Sequence, residues 1–243
     1  MRVFFFVPHQ DDELLTMGAY AYNVISQNDD VHIVLCTDGS SSCVRKVLSN
    51  GKKCRFHLRR HCFNLSESAF AAARDREYYN SCRALGFSKK NIHISEYRAK
   101  DGKLTIDHAK LIIRETLKAS YENDFQICAI SPFGGRNQNP DHRNLGLAAL
   151  ELLNSGEISR LELLVEPYLV DAFKKICPQV LLKEHVADTA GRRAIRFAAL
   201  SYYLWLPSKG RYAIGRHSIP NELRETIVNA KSFHYSADYL EAD

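Results

Sequence analysis

The 243-residue sequence has no apolar run approaching the roughly 20 residues needed to cross a bilayer. It has no internal repeat, no low-complexity tract and no Pro/Gly-rich linker, so one domain over residues 1–243 is expected. Cysteine is sparse: seven residues, an odd number without dense spacing, fit a reducing compartment better than a disulfide framework. No secretory leader is expected. The apolar start Val3-Phe4-Phe5-Phe6-Val7 stops at Asp11-Asp12-Glu13, and no small-residue cleavage site follows. A buried first strand and a cytoplasmic location are the expectations. Gly134-Gly135 lacks the later glycine of a dinucleotide fingerprint and follows the wrong strand. Acidic residues are absent from Gly39 to Ser66, where Arg45, Lys46, Lys52, Lys53, Arg55, Arg59 and Arg60 all fall. The net charge of +5 is too modest to suggest nucleic acid.

What is present is an alternation of strand and helix signals. Phe4–Val7 is an apolar run of the kind buried on both faces of a parallel sheet, and Val31–Cys36 is expected as a second strand. Shorter strands are expected at Asn91–Ser95, Phe125–Ser131, Leu161–Val165 and Val180–Leu182. Helices are expected at 14–25, 68–85, 106–120, 141–153 and 194–206, the second ending at Gly86. This order predicts an α/β, Rossmann-like three-layer fold, a mostly parallel sheet with helices on both faces. Residues 1–155 would carry the core and the motifs, and 156–243 would complete it.

Ligands of such sheets bind beyond the carboxyl ends of the strands. Two of those places hold metal-ligand types: Pro8-His9-Gln10-Asp11-Asp12-Glu13 and Asn139-Pro140-Asp141-His142-Arg143. A hydrolytic zinc takes three N or O ligands and keeps one position open. His9, Asp12 and His142 can supply that set, with Asp11 beside it as a carboxylate able to accept a proton. Alone, either motif is commonplace; it is their joint position at two strand ends that carries the reading.

The two motifs resemble those of the PIG-L/LmbE-type zinc N-deacetylases. Thr37-Asp38-Gly39, Arg74-x-x-Glu77 and Ala84-Leu85-Gly86 agree in the same order, so the resemblance spans about residues 1–150. It implies Zn2+ on His9, Asp12 and His142, Asp11 as general base, and Arg74 as a substrate contact. The other reading of Arg74 is a helix-surface pair with Glu77. Asp141 would orient a neighbouring group or simply supply charge to a helix N-terminus. The family pattern has a histidine where this chain has Asn139. An asparagine amide can donate to an oxyanion but cannot deliver a proton. The expected reaction is hydrolysis of an N-acyl, foremost N-acetyl, group on an amino sugar or small conjugate. Positive charge at 45–60 would suit an anionic substrate, a solvated loop or a partner surface.

Two other functions compete: a non-catalytic ligand-binding module, and a phosphoester hydrolase, which commonly needs two metals. Cys54, His57, His61 and Cys62 have the residue types of a structural zinc site. Because His61 and Cys62 are adjacent and would diverge, a basic surface loop with incidental cysteines is expected instead. Trp205, with Tyr202, Tyr203 and Leu204, is expected to pack into the core from a helix.

Overall fold

In β1 (Arg2–Val7) successive side chains point to opposite faces, and both faces are covered. Val3, Phe5 and Val7 enter one apolar cluster, Phe4 and Phe6 the other. The computed structural model describes residues 1–28, 30–118 and 124–240. The expected helix end at Ser120 lies outside them.

After β1 come α1 (Asp12–Leu15), α2 (Gly18–Gln27), β2 (Val31–Thr37), α3 (Val44–Ser49), α4 (Glu67–Leu85) and β3 (Ile92–Ala99). The chain continues with α5 (Ile106–Lys118), β4 (Phe125–Ile130), α6 (Pro140–Asn154), β5 (Leu161–Val165) and α7 (Val170–Ile176). It then forms β6 (Lys183–Val186), α8 (Thr189–Tyr203), β7 (Trp205–Leu206), β8 (Arg211–Tyr212), α9 (Ile214–Ser218), α10 (Pro220–Asn229) and β9 (Lys231–Ser236).

The main sheet has seven strands in the order β3-β2-β1-β4-β5-β9-β6. The first five are parallel to one another, and β9 runs antiparallel to both β5 and β6. Helices α2, α4 and α8 cover the face of Val3, Phe5 and Val7. Helices α5, α6 and α7 cover the other. This is the expected three-layer α/β architecture. Strand order reverses between β1 and β4, and that switch point opens a crevice at their carboxyl ends. Among the described residues no helix is long and apolar enough to cross a membrane.

Four expectations differ from the structure. The single helix at 14–25 is two: the Met17 amide bonds five residues back to Asp12 O, and the Ala19 amide donates to Ser232 Oγ on β9. The late strand lies at Lys183–Val186 rather than Val180–Leu182, in register with β9. Asp188 caps α8 by accepting the Gly191 amide at 2.7 Å, so this helix starts and ends earlier than expected. Trp205 therefore lies outside it, in the small β7–β8 pair, rather than packing into the core from a helix.

Candidate active site

The chain leaves β1 through Pro8, whose carbonyl accepts both the amide (3.1 Å) and the hydroxyl (2.7 Å) of Thr37 at the end of β2. Asp12 Oδ2 accepts the His9 amide at 3.0 Å, closing the turn on itself. From the other side of the switch point, α6 presents His142 in its first turn. Asn139 caps this helix and Pro140 occupies its first position. The helix can reach the strand end because residue 146 is glycine: a Cβ there would sit 2.3 Å from Ile130 O.

Three donor atoms from these two turns meet in a triangle. His9 Nδ1 and His142 Nε2 are 2.9 Å apart, and Asp12 Oδ2 lies 3.4 Å from the first and 3.2 Å from the second. In a tetrahedral zinc site, with Zn–N and Zn–O near 2.0–2.1 Å, ligand atoms are about 3.3 Å apart. The set fits a zinc ion with one position open.

The outer ring nitrogens are held by carboxylates. His142 Nδ1 lies 2.7 Å from Glu166 Oε1, and Glu166 also accepts from Gln138 Nε2 and Tyr168 OH. His9 Nε2 lies 3.1 Å from Asp141 Oδ2 and 3.3 Å from Asp101 Oδ1. Asp141 is itself fixed by the amides of Gly102 (2.7 Å) and Leu104 (3.0 Å), so it orients His9 and does more than lend charge to a helix end. Carboxylates in these positions set ring tautomer and raise ligand basicity.

The electrostatics match. Burial works against a charged His142, yet Asp12 and Glu166 overcome it and push its pKa up to about 9. Burial likewise works against a charged Asp12, but His142 and His9 hold it well below the usual carboxylate range. The negative charge that keeps protons on these rings is what a dication would neutralise.

Asp11 stands beside the triangle on a backbone with φ 155° and ψ −23°, a conformation rare for a non-glycine residue. Burial raises its pKa to about 6, against the pull of the Arg74 guanidinium. Arg74 is buried and spends its fork on the chain: Gly39 O at 3.2 Å, Gln10 O at 3.1 Å and Asp11 Oδ2 at 3.4 Å. Gly39 has φ +63°, and a Cβ on it would come within 2.2 Å of Gln10 Oε1 and 2.9 Å of Arg74 Nη1. The Thr-Asp-Gly and Arg-x-x-Glu signals are thus two halves of one packing contact. The helix-surface pairing of Arg74 with Glu77 is not what forms. Both are buried, and Glu77 accepts the amides of Ile214 (2.8 Å) and Gly215 (3.1 Å) at the start of α9.

His9, Asp11, Asp12, Arg74, Asn139 and His142 all line one cleft of about 340 Å³. Asn139 Oδ1 accepts the Asp141 amide at 2.9 Å, which leaves its NH2 group as a donor at the cleft. Of the basic stretch, only its start reaches the cleft, through Ser42 and Cys43; none of the seven cations lines it. Sequence reasoning missed Glu166, Tyr168 and Asp101. Each follows a strand end at the same edge of the sheet, which is the signal that would have found them.

Residues 4–153 match the family described as PIG-L, GlcNAc-PI de-N-acetylase. No curated protein sequence matches the chain. Among solved structures it is similar to a triple mutant of the deacetylase Orf2 of teicoplanin biosynthesis, with TM-score 0.64, 15% identity and 97% of each chain covered. The zinc-inhibited form of teicoplanin deacetylase Orf2 gives TM-score 0.61 and 14% identity, again with 97% of each chain covered. N,N'-diacetylchitobiose deacetylase from Pyrococcus horikoshii gives 0.53 and 20%, covering 98% of this chain and 84% of that one. At such identities these neighbours speak for the fold, and it is the family match over more than half of the length that assigns the chain: it belongs to the PIG-L family of deacetylase-type hydrolases.

Proposed function

We propose that this protein is a zinc-dependent N-deacetylase acting on an N-acetylated amino sugar or a small conjugate of one. The observation that carries the reading is the triangle of His9 Nδ1, Asp12 Oδ2 and His142 Nε2, with edges of 2.9 to 3.4 Å and an acid–base carboxylate beside it. His9, Asp12 and His142 would hold the zinc. Bound in such a set, zinc supplies Lewis acidity and brings the pKa of a water to about 7. Asp11, with its pKa near 6, is matched to taking up a proton at neutral pH and returning it to the leaving amine. Arg74 fixes the Asp11 turn rather than reaching outward with a free fork. The Asn139 NH2 group donates to the oxyanion that develops when the amide carbonyl is attacked.

The cleft of about 340 Å³ is at the small end of ligand sites and suits one sugar unit. A neighbouring cleft of about 320 Å³ shares Leu15, Tyr168 and Glu222 with it, giving room for whatever the sugar is attached to. The deciding experiment measures acetate released from a panel of N-acetyl amino sugars and their conjugates, with zinc content determined in parallel. Asp11→Asn should keep its zinc and lose about 10²- to 10⁴-fold in turnover. Ala at His9, Asp12 or His142 should lose both. Folded Asp11→Asn protein without metal would move Asp11 into the ligand set and overturn the assignment.

A further inference from the structure

Outside the cleft, four metal-binding side chains converge that the deacetylase reading does not use. Cys54, His57 and His61 come from the basic stretch and His217 from α9, and one donor atom of each lies within 4.8 Å of all the others. The partner of the Cys-x2-His-x3-His segment is thus a histidine 163 residues from Cys54, not the adjacent Cys62, which is exposed. We propose that these four residues form a second, closed zinc site that staples the basic segment to α9 at the rim of the cleft.

The distances carry it. Tetrahedral zinc with Zn–S near 2.3 Å and Zn–N near 2.05 Å separates S from N by about 3.6 Å and N from N by about 3.3 Å. Here Cys54 Sγ is 3.4 Å from His217 Nε2 and 3.7 Å from His57 Nδ1, while His57 Nδ1 and His61 Nε2 are 3.3 Å apart. The tautomer of His217 agrees. His217 Nδ1 is 2.7 Å from Ala213 O, and a carbonyl can only accept, so the proton is on Nδ1 and a lone pair points from Nε2 into the cluster. Cys54 Sγ accepts the Phe56 amide at 3.3 Å, which suits a sulfur carrying negative charge. Four protein ligands leave no open position, which marks a structural rather than a catalytic site.

The local backbone is built for this. Arg59 O accepts the Cys54 amide and Cys54 O the Leu58 amide, with Leu58 at φ 55°, so the two ends of a tight knuckle are pinned. Lys53 and Arg60 bridge across its base. Trp205 stacks on both His57 and His61, with ring centroids 4.0 and 4.3 Å away, closing one side. The seven cations have no acidic residue within the stretch, and a clamp there would offset their mutual repulsion. The clamp reaches the cleft on both sides. Ser42 and Cys43, just before α3, and Ser218, next to His217, are lining residues.

The experiment measures zinc per chain by elemental analysis and then exchanges zinc for cobalt. Wild type should hold two equivalents, and His9→Ala with His142→Ala should hold one. Its cobalt form should still show the near-ultraviolet thiolate-to-cobalt band, because only this site has a sulfur ligand. The pair Cys43→Ser with Cys62→Ser should keep that band. Cys54→Ser and His217→Ala should each abolish it, lower the melting temperature and raise KM more than they lower kcat. Wild type without a thiolate band, whether it holds one equivalent or two, overturns the second site without touching the catalytic one. Because wild type and the His9/His142 variant decide the matter, a Cys54 variant that fails to fold does not.

Discussion

His142 Nδ1 and Glu166 Oε1 are 2.7 Å apart, across 24 residues that run from the first turn of α6 to the residue after β5. This contact fixes which nitrogen of His142 faces His9 and Asp12. Glu166→Gln keeps the shape and removes the charge, and should weaken zinc binding about 10- to 100-fold. Competition with a calibrated chelator measures it. An unchanged affinity would reduce Glu166 to packing.

Substitutions can separate the helix cap that Asn139 provides from the donor role proposed for it. Asn139→Ala should lower kcat about 10²- to 10³-fold through the lost donor, and stability by about 1 kcal/mol through the lost cap. Asn139→Asp restores the cap but not the donor, so it should recover the melting temperature and not the rate. Asn139→His should retain activity and add a limb between about pH 6 and 8 to the rate profile. Equal rates for wild type and Asn139→Ala would remove Asn139 from the oxyanion.

The charge of Arg74 lowers the pKa of Asp11 against burial. If Asp11 is the base, activity requires its deprotonated form, so Arg74→Met should shift the acidic limb of kcat/KM to higher pH. Arg74→Lys keeps the charge but loses the fork to Gly39 and Gln10. It should leave the limb in place while reducing kcat. A limb that ignores both substitutions belongs to another group.

Glu13 is buried beneath the site with Oε1 accepting from Tyr202 OH, and burial raises its pKa from 4.5 to about 8. Below pH 4.5 both folded and unfolded chains hold its proton, and its contribution to stability is complete. Between 4.5 and about 8 only the folded chain holds it, so stability falls as pH rises, by at most about 1.4 kcal/mol per unit. Glu13→Gln should flatten that slope in denaturant titrations. Equal slopes for the two proteins would mean that Glu13 is ionised in the folded state.

The parts of this structure written in local pattern were legible in the sequence. Phe4 to Val7 declares a buried strand because its apolar run is unbroken, and Val31 to Cys36 because only His32 interrupts it. Gly86 ends α4 with the left-handed stop that its position announces, whereas the cap at Ser66 lies two residues before the expected start at Ser68. The two motifs pointed to the triangle because both sit where a strand hands over to a helix. What stayed hidden depends on distant partners. The break before α2 needs Ser232, the orientation of His142 needs Glu166, and the histidine cluster needs His217. Gly39 matters only because Arg74 arrives from another element to occupy the space where its Cβ would be.

The sheet order has a practical consequence for anyone trimming this chain. The family match ends at residue 153, but β4 is covered on its outer edge by β5, and β5 by β9 from the far end of the sequence. A fragment cut at that boundary would turn β4 into a bare edge whose unpaired amides and carbonyls invite pairing between molecules. It would also strip His142 of its carboxylate and leave the staple without its fourth residue. The smallest unit that can work as this enzyme is therefore set by β9, some eighty residues beyond the point where the recognisable motifs stop.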